Sequence, residues 1–203
     1  MSKLSKCSRL VFSLAFVCML TIALLGAKDS GNVHATTADD YAVYSVAMED
    51  VVGGGSYVVL DTTTIHGKPE DLDSALNFPI EDAKLITADL LNDFRTKNHQ
   101  SYAIAQHFPK GVRVQLISER ERSVMFSGCM GEVNCGWKTF YEKYPGAPGI
   151  TSLSRVGFNK TDDTALVYVG NVRDWEVGSG LYLLLAKNNG EWEVISRTRS
   201  WIS

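Results

Sequence analysis

The period of the hydrophobic positions changes along the chain. Over residues 36–51, Tyr41, Tyr44, Met48 and Val51 recur at three- and four-residue steps, with Thr37 or Asp39 placed to cap. That spacing predicts a helix, and Val52-Gly-Gly-Gly-Ser56 ends it. Tyr57-Val-Val-Leu-Asp61 is short and β-rich and predicts a strand. Residues 62–79 are polar, carry Gly67, Pro69 and Pro79, and read as a surface loop. Residues 80–97 carry the clearest helical pattern, with Ile80, Ala83, Thr87, Leu90, Leu91 and Phe94 on one face. Over 111–118 the pattern alternates, Val112, Val114 and Leu116 against Arg113 and Gln115, which predicts a half-buried strand. Residues 118–123 can cap and begin a short helix carrying Val124 and Phe126, its charges forming a solvent face, and 137–144 predicts another helix stopped by Pro145 and Gly146.

From there the period is two. Residues 150–158, 164–171, 181–187 and 191–201 read as four strands, and Asn189-Gly190 between the last two is a hairpin signal. A type I′ turn needs positive φ at both central residues, which Asn and Gly tolerate. Short connections imply antiparallel pairing. Ala165-Leu-Val-Tyr-Val169 and Leu181-Tyr-Leu-Leu-Leu185 are apolar on both faces, so each face of the sheet must be covered or concave. The expected fold is α+β, with N-terminal helices packed on a C-terminal antiparallel sheet of about four strands.

The amino end reads differently. Lys3, Lys6 and Arg9 precede an uncharged stretch over 10–27, and a polar segment ends in Val33-His-Ala35. This is the layout of an export signal over 1–35, cleaved after Ala35, or alternatively after Ala27. The apolar stretch just reaches spanning length, so a retained anchor is a rival reading. Cys18 as a lipid-modified cysteine is another, although Ala15-Phe-Val17 before it is a poor lipidation signal. Residues 36–203 then form a single domain, large enough to bury a core without staples. The leader holds four of the twenty basic residues (Lys3, Lys6, Arg9, Lys28) and one of the twenty-three acidic ones (Asp29), so the net charge passes from −3 to −6 on its removal. Such a balance argues against nucleic-acid binding. No membrane contact is expected beyond the signal.

Few residues suggest chemistry. Cys129 and Cys135 lie in a glycine-flanked loop, and an even count in an exported chain favours a disulfide between them, with free thiols, redox or metal chemistry as alternatives. Gly53–Gly55 are followed by no Gly-Lys-Ser/Thr, Asp71-Leu-Asp73 fails the calcium-loop pattern at Ala75 and Leu76, and Ser179 lacks the spacing of a nucleophile elbow. No cofactor or metal is expected. His99 and His107 flank Tyr102 without an adjacent acid, Asp162 and Asp163 read as a strand turn, and Asn159-Lys-Thr161 matches a glycosylation acceptor. Glu191 and Glu193 with Arg197 and Arg199 suit the exposed face of a hairpin. The candidate ligand-binding residues are Trp137, Tyr141, Arg155, Asn159 and Trp175, because Trp and Tyr pair a flat apolar face with a polar handle and Arg offers a fork of donors. The alternative is that Trp137 and Tyr141 pack on the sheet and Arg155 pairs with an acid.

Three runs carry a resemblance: Gly136-Trp-Lys-Thr-Phe-Tyr-Glu-Lys-Tyr-Pro-Gly146, Leu153-Ser-Arg-Val-Gly-Phe-Asn159, and Ala165-Leu-Val-Tyr-Val-Gly-Asn171 with Gly178-Ser-Gly-Leu-Tyr-Leu-Leu-Leu185 and Trp201-Ile-Ser203. With Asp93-Phe-Arg-Thr-Lys-Asn98 and Leu116-Ile-Ser-Glu119, the chain over 85–203 resembles a family of exported bacterial proteins to which no activity is attached. The resemblance implies a periplasmic, cell-surface or extracellular setting and supplies no catalytic residue. Helices followed by sheet are also similar to the cone-shaped NTF2-like fold. The expectation is a non-catalytic module that binds a small molecule or a protein partner at the cell envelope. The alternatives are a cofactor-independent hydrolase, using Ser, His99 or His107 and Asp, or an inhibitor of an external hydrolase with the Cys129–Cys135 loop as its wedge.

Overall fold

The computed structural model describes residues 36–53, 57–65, 76–108, 113–127 and 134–203. These belong to one compact unit, Thr36–Ser203, and the leader expected over 1–35 lies outside the described residues.

Helix α1 (Ala38–Val52) forms where the period predicts it. Thr37 accepts a hydrogen bond from the Asp40 amide at 3.2 Å, and the Asp40 carboxylate accepts one from the Thr37 amide at 2.6 Å. This reciprocal box satisfies two donors that the first turn leaves orphaned. Tyr41, Val43, Tyr44, Ala47 and Met48 are buried, and Gly53 leaves the helix at φ 83°. Strand β1 (Val58–Asp61) follows.

The helix predicted over 80–97 is two helices, α2 (Ile80–Ala83) and α3 (Ala88–Lys97). Thr87, expected on the apolar face, is extended at ψ 159° and its hydroxyl accepts from the Leu90 amide at 3.4 Å. A β-branched hydroxyl residue is a better cap than a helix interior residue, and here the cap wins. Leu90 and Phe94 are buried as expected, whereas Ile80 is exposed.

Strand β2 (Val114–Ile117), helices α4 (Glu119–Ser127) and α5 (Cys135–Lys143), and strands β3 (Ile150–Leu153), β4 (Gly157–Phe158), β5 (Thr164–Asp174), β6 (Val177–Asn188) and β7 (Glu191–Ile202) complete the fold. The sheet has seven strands in the order β2-β1-β3-β5-β6-β7, with β4 continuing β3 alongside β5. The expected count of about four is too low, because β1 and β2 join the C-terminal meander. Strand β1 runs parallel to both β2 and β3, so the sheet is mixed. The pairings of β3, β5, β6 and β7 are antiparallel, and Asn189 and Gly190 turn the last hairpin at φ 52° and 89°.

The predicted strand 150–158 is interrupted at Ser154–Val156. The Asn98 side chain takes the place of a neighbouring strand there: it accepts from the Arg155 amide at 2.7 Å and donates to the Arg155 carbonyl at 3.0 Å. The Ser154 hydroxyl accepts from the Tyr168 amide at 2.9 Å.

Helices cover both faces, which accounts for strands that are apolar on both sides. Val58, Leu60, Leu153, Ala165, Val167, Val169, Leu183 and Leu185 pack with α1. On the opposite face Leu166 and Leu184 pack against Leu90 and Phe94 of α3, while Val59 and Ile150 pack with Met125, Trp137 and Phe140 of α4 and α5. No helix among the described residues is long and apolar enough to cross a membrane.

Candidate functional site

Strand alternation determines what lies beneath α4 and α5. With Leu60 and Leu153 committed to the α1 face, Asp61 and Ser152 project to the other face, beside Ile150, Val172 and Asp174. Helix α4 adds Glu119, Arg122, Ser123 and Phe126, a spacing of three, four and seven that is one helix face. Trp137 of α5 and Trp175 of the β5–β6 turn close the sides. Together these residues line a cleft of about 390 Å³.

One wall is aromatic. Trp175 meets Phe126 edge-on at 5.9 Å, Phe126 meets Trp137 edge-on at 5.0 Å, and Trp137 stacks on Tyr141 at 6.0 Å. Offset and edge-on contacts of this kind hold rings in fixed orientation. Gly136 makes the arrangement possible, since a Cβ there would lie 2.3 Å from Phe126 Cδ1. On the far side of α4, Glu121 accepts hydrogen bonds from Lys143 and from the Tyr144 hydroxyl, tying α4 to α5. Those two bonds hold the Glu121 carboxyl below the usual carboxylate range.

The other wall is charged. Asp61 is 8% exposed, and Arg122 Nη1 donates to both of its carboxylate oxygens at 3.1 Å. Burial pushes the Asp61 carboxyl up to about 6; Arg122 opposes the rise and Glu119 adds to it. The charges of α4 are thus not only a solvent face: Arg122 reaches a buried acid and Glu121 ties down α5.

Of the residues singled out from sequence, Trp137 and Trp175 meet at this cleft. Tyr141 stands behind Trp137, and its hydroxyl donates to the Arg173 carbonyl at 2.8 Å. Burial raises the Tyr141 phenol, and Asp174 adds to this. Arg155 is elsewhere, 1% exposed, with Nη2 3.6 Å from the equally buried Asp40 carboxylate and its guanidinium 5.1 Å from the Tyr102 ring. Asn159 organises the β4–β5 turn: its carbonyl accepts from the Asp163 and Thr164 amides at 3.1 Å, and its amide donates to the Asp163 carboxylate at 2.7 Å. Cys135 opens α5, and Cys129 lies outside the described residues.

His99 contacts the Thr96 carbonyl and the Tyr102 ring, His107 tilts against Tyr41, and neither lines the cleft. Ser179 lies within β6, paired to Ile202. Among the described residues no group of three or more His, Cys, Asp and Glu could hold a metal ion. Asp61, Glu119, Arg122, Ser123, Phe126, Ile150, Ser152, Val172 and Asp174 line the cleft as well and are not among the candidates read from the sequence. The spacing of 119, 122, 123 and 126 was the available signal. No protein-family profile, curated protein or solved structure matches the chain.

Proposed function

We propose that this protein is an exported, non-catalytic module of the bacterial cell envelope that binds a small molecule between α4, α5 and the sheet. The observation that carries the reading is the 390 Å³ cleft, in which Phe126, Trp137 and Trp175 face a wall holding Asp61 and Arg122. Its volume and its mixture of an apolar body with a few fixed polar groups are those of small-molecule sites. The envelope setting rests on the basic, apolar and small-residue order of 1–35 and on the resemblance over 85–203. The cleft, and not a likeness to the cone-shaped NTF2-like fold, carries this reading.

The test uses the purified protein and the neutral dye N-phenyl-1-naphthylamine. Dye fluorescence rises with wild type and falls to background with Ser123→Trp, an exposed α4 position whose indole fills the cleft. Equal fluorescence with both proteins, at equal thermal stability, rejects the cleft as the binding site. Amino-terminal sequencing of material recovered outside the cytoplasm should begin at Thr36, and an intact leader there rejects cleavage.

A second reading, a cofactor-independent hydrolase, is favoured by one feature: a buried carboxyl that burial raises to about 6, placed in a cleft, is suited to proton transfer. Here the acid is Asp61, not a triad built on His99 or His107. Hydrolysis of any ester, amide or glycoside that disappears in Asp61→Asn would replace the binding reading by this one.

A further inference from the structure

The lining of the cleft carries more information than its size. Among the described residues its charged lining is Asp61, Glu119 and Asp174 against Arg122. Arg122 is committed, with Nη1 donating to both oxygens of Asp61. Glu119 and Asp174 form no salt bridge among the described residues. Among the described residues Asp174 accepts a hydrogen bond from the neighbouring Trp175 amide, which leaves its charge in place. A molecule in the cleft therefore meets two carboxylates that no salt bridge among the described residues neutralises.

The rings point the same way independently. Phe126, Trp137 and Trp175 line one small volume, and the face of an aromatic ring carries negative potential that attracts a cation within about 6 Å of its centre. Ile150 and Val172 add an apolar surface with no polar side-chain atoms. An anion would meet a net negative lining. A sugar or another neutral polyol would need an array of donors and acceptors, and the uncharged polar groups on the described lining are the hydroxyls of Ser123 and Ser152 and the indole N–H donors of Trp137 and Trp175.

Resting on the binding module argued above, we infer that the ligand is an organic cation: an ammonium or quaternary ammonium group carried on a small apolar body. The cationic head lies near Glu119, Asp174 and the indole of Trp175. The apolar body lies on Phe126, Ile150 and Val172. Trp175 is 54% exposed, so its ring is available at the mouth before a ligand enters.

Three probes that share a phenyl body and differ in charge test the inference: benzyltrimethylammonium, benzyl alcohol and phenylacetate. Each is titrated calorimetrically into the purified protein at pH 7.5 and low salt. Benzyltrimethylammonium should bind at least ~10-fold more tightly than the other two. Trp175→Ala should weaken it ~3- to 30-fold, and Glu119→Gln or Asp174→Asn ~3- to 10-fold each. All three substitutions fall at partly or fully exposed positions, and unchanged thermal midpoints exclude misfolding. Added salt should weaken the cation and leave benzyl alcohol unaffected. If benzyl alcohol or phenylacetate binds as tightly as the cation, and Ser123→Trp abolishes that binding, the cation assignment is overturned while the binding module stands. If none of the three binds, the assignment is overturned too, and the dye experiment decides separately whether the cleft binds anything.

Discussion

Replacing Asp61 by Asn should make the protein more stable at alkaline pH, although it removes one half of a salt bridge. Burial raises this carboxyl from 3.8 to about 6 even with Arg122 at 3.1 Å, so desolvation outweighs attraction. A folded-state value above the unfolded one means that the folded protein favours the protonated acid. The corresponding stability is complete below 3.8 and is lost as the pH rises through about 6. Relative to low pH, ionisation of this one carboxyl leaves the fold about 3 kcal/mol less stable at pH 8. Asn stays neutral at every pH and keeps an oxygen to accept from Arg122. Arg122 is 43% exposed and stays hydrated without its partner, so Asp61→Asn is expected to gain about 1–3 kcal/mol at pH 8, with the gain shrinking below about 1 kcal/mol at pH 4. Urea unfolding followed by the fluorescence of the four tryptophans at both pH values measures this. A variant less stable than wild type at pH 8, or a difference of the same size at both pH values, would refute the argument that burial dominates this pair.

Four further outcomes follow from particular contacts. Arg122→Met should destabilise at pH 8 and not at pH 4, because only the ionised Asp61 misses its partner; equal losses would mean that the Arg122 stem matters more than its charge. Arg155→Met strands the buried Asp40 carboxylate and should cost about 3–5 kcal/mol, and the double variant with Asp40→Asn should lose less than the sum of the two singles in urea titrations. Gly180→Ala places a Cβ 2.1 Å from Trp201 Nε1 and 2.3 Å from the Tyr168 hydroxyl, and should cost about 1–3 kcal/mol, part of which Trp201→Leu restores. Glu121→Gln should flatten the acid side of the stability profile, since a carboxyl held low by Lys143 and Tyr144 stabilises at neutral pH and loses that contribution as pH falls through its folded value.

Most elements are legible in the sequence because they satisfy one dominant rule. The meander from β5 to β7 follows from period-two patterning and Asn189-Gly190, and α1 from the repeat of Tyr41, Tyr44 and Met48 with Thr37 ahead of it. The misreadings fall where two rules compete. Thr87 satisfies the helical period and the capping preference at once, and the hydrogen bond it accepts as a cap decides between them. The parallel placement of β1 has no local signature, since its partners β2 and β3 lie far along the chain. The site divides the same way. Trp137 and Trp175 can be flagged from residue type alone, but Asp61 looks like an ordinary strand end until Arg122 arrives from α4. Arg155 and Asn159 carry the same functional groups as ligand-binding residues and spend them inside the fold, one on Asp40 and one on a turn.

The place of β1 between two distant parallel strands has a consequence for how the molecule assembles and opens. The β5–β6 and β6–β7 hairpins close over short loops and can form early, whereas β1 gains its partners only after long loops have closed. The half of the sheet bearing Asp61 and Ile150 is therefore expected to be the last to be stitched in and the first to exchange its amide protons. Amides of Val59 and Leu60 should exchange with solvent faster than those of Leu183 and Leu184, although all four side chains are fully buried. A ligand seated against Asp61 and Ile150 would slow exchange in that half, and so would be felt as rigidity well beyond the atoms it touches.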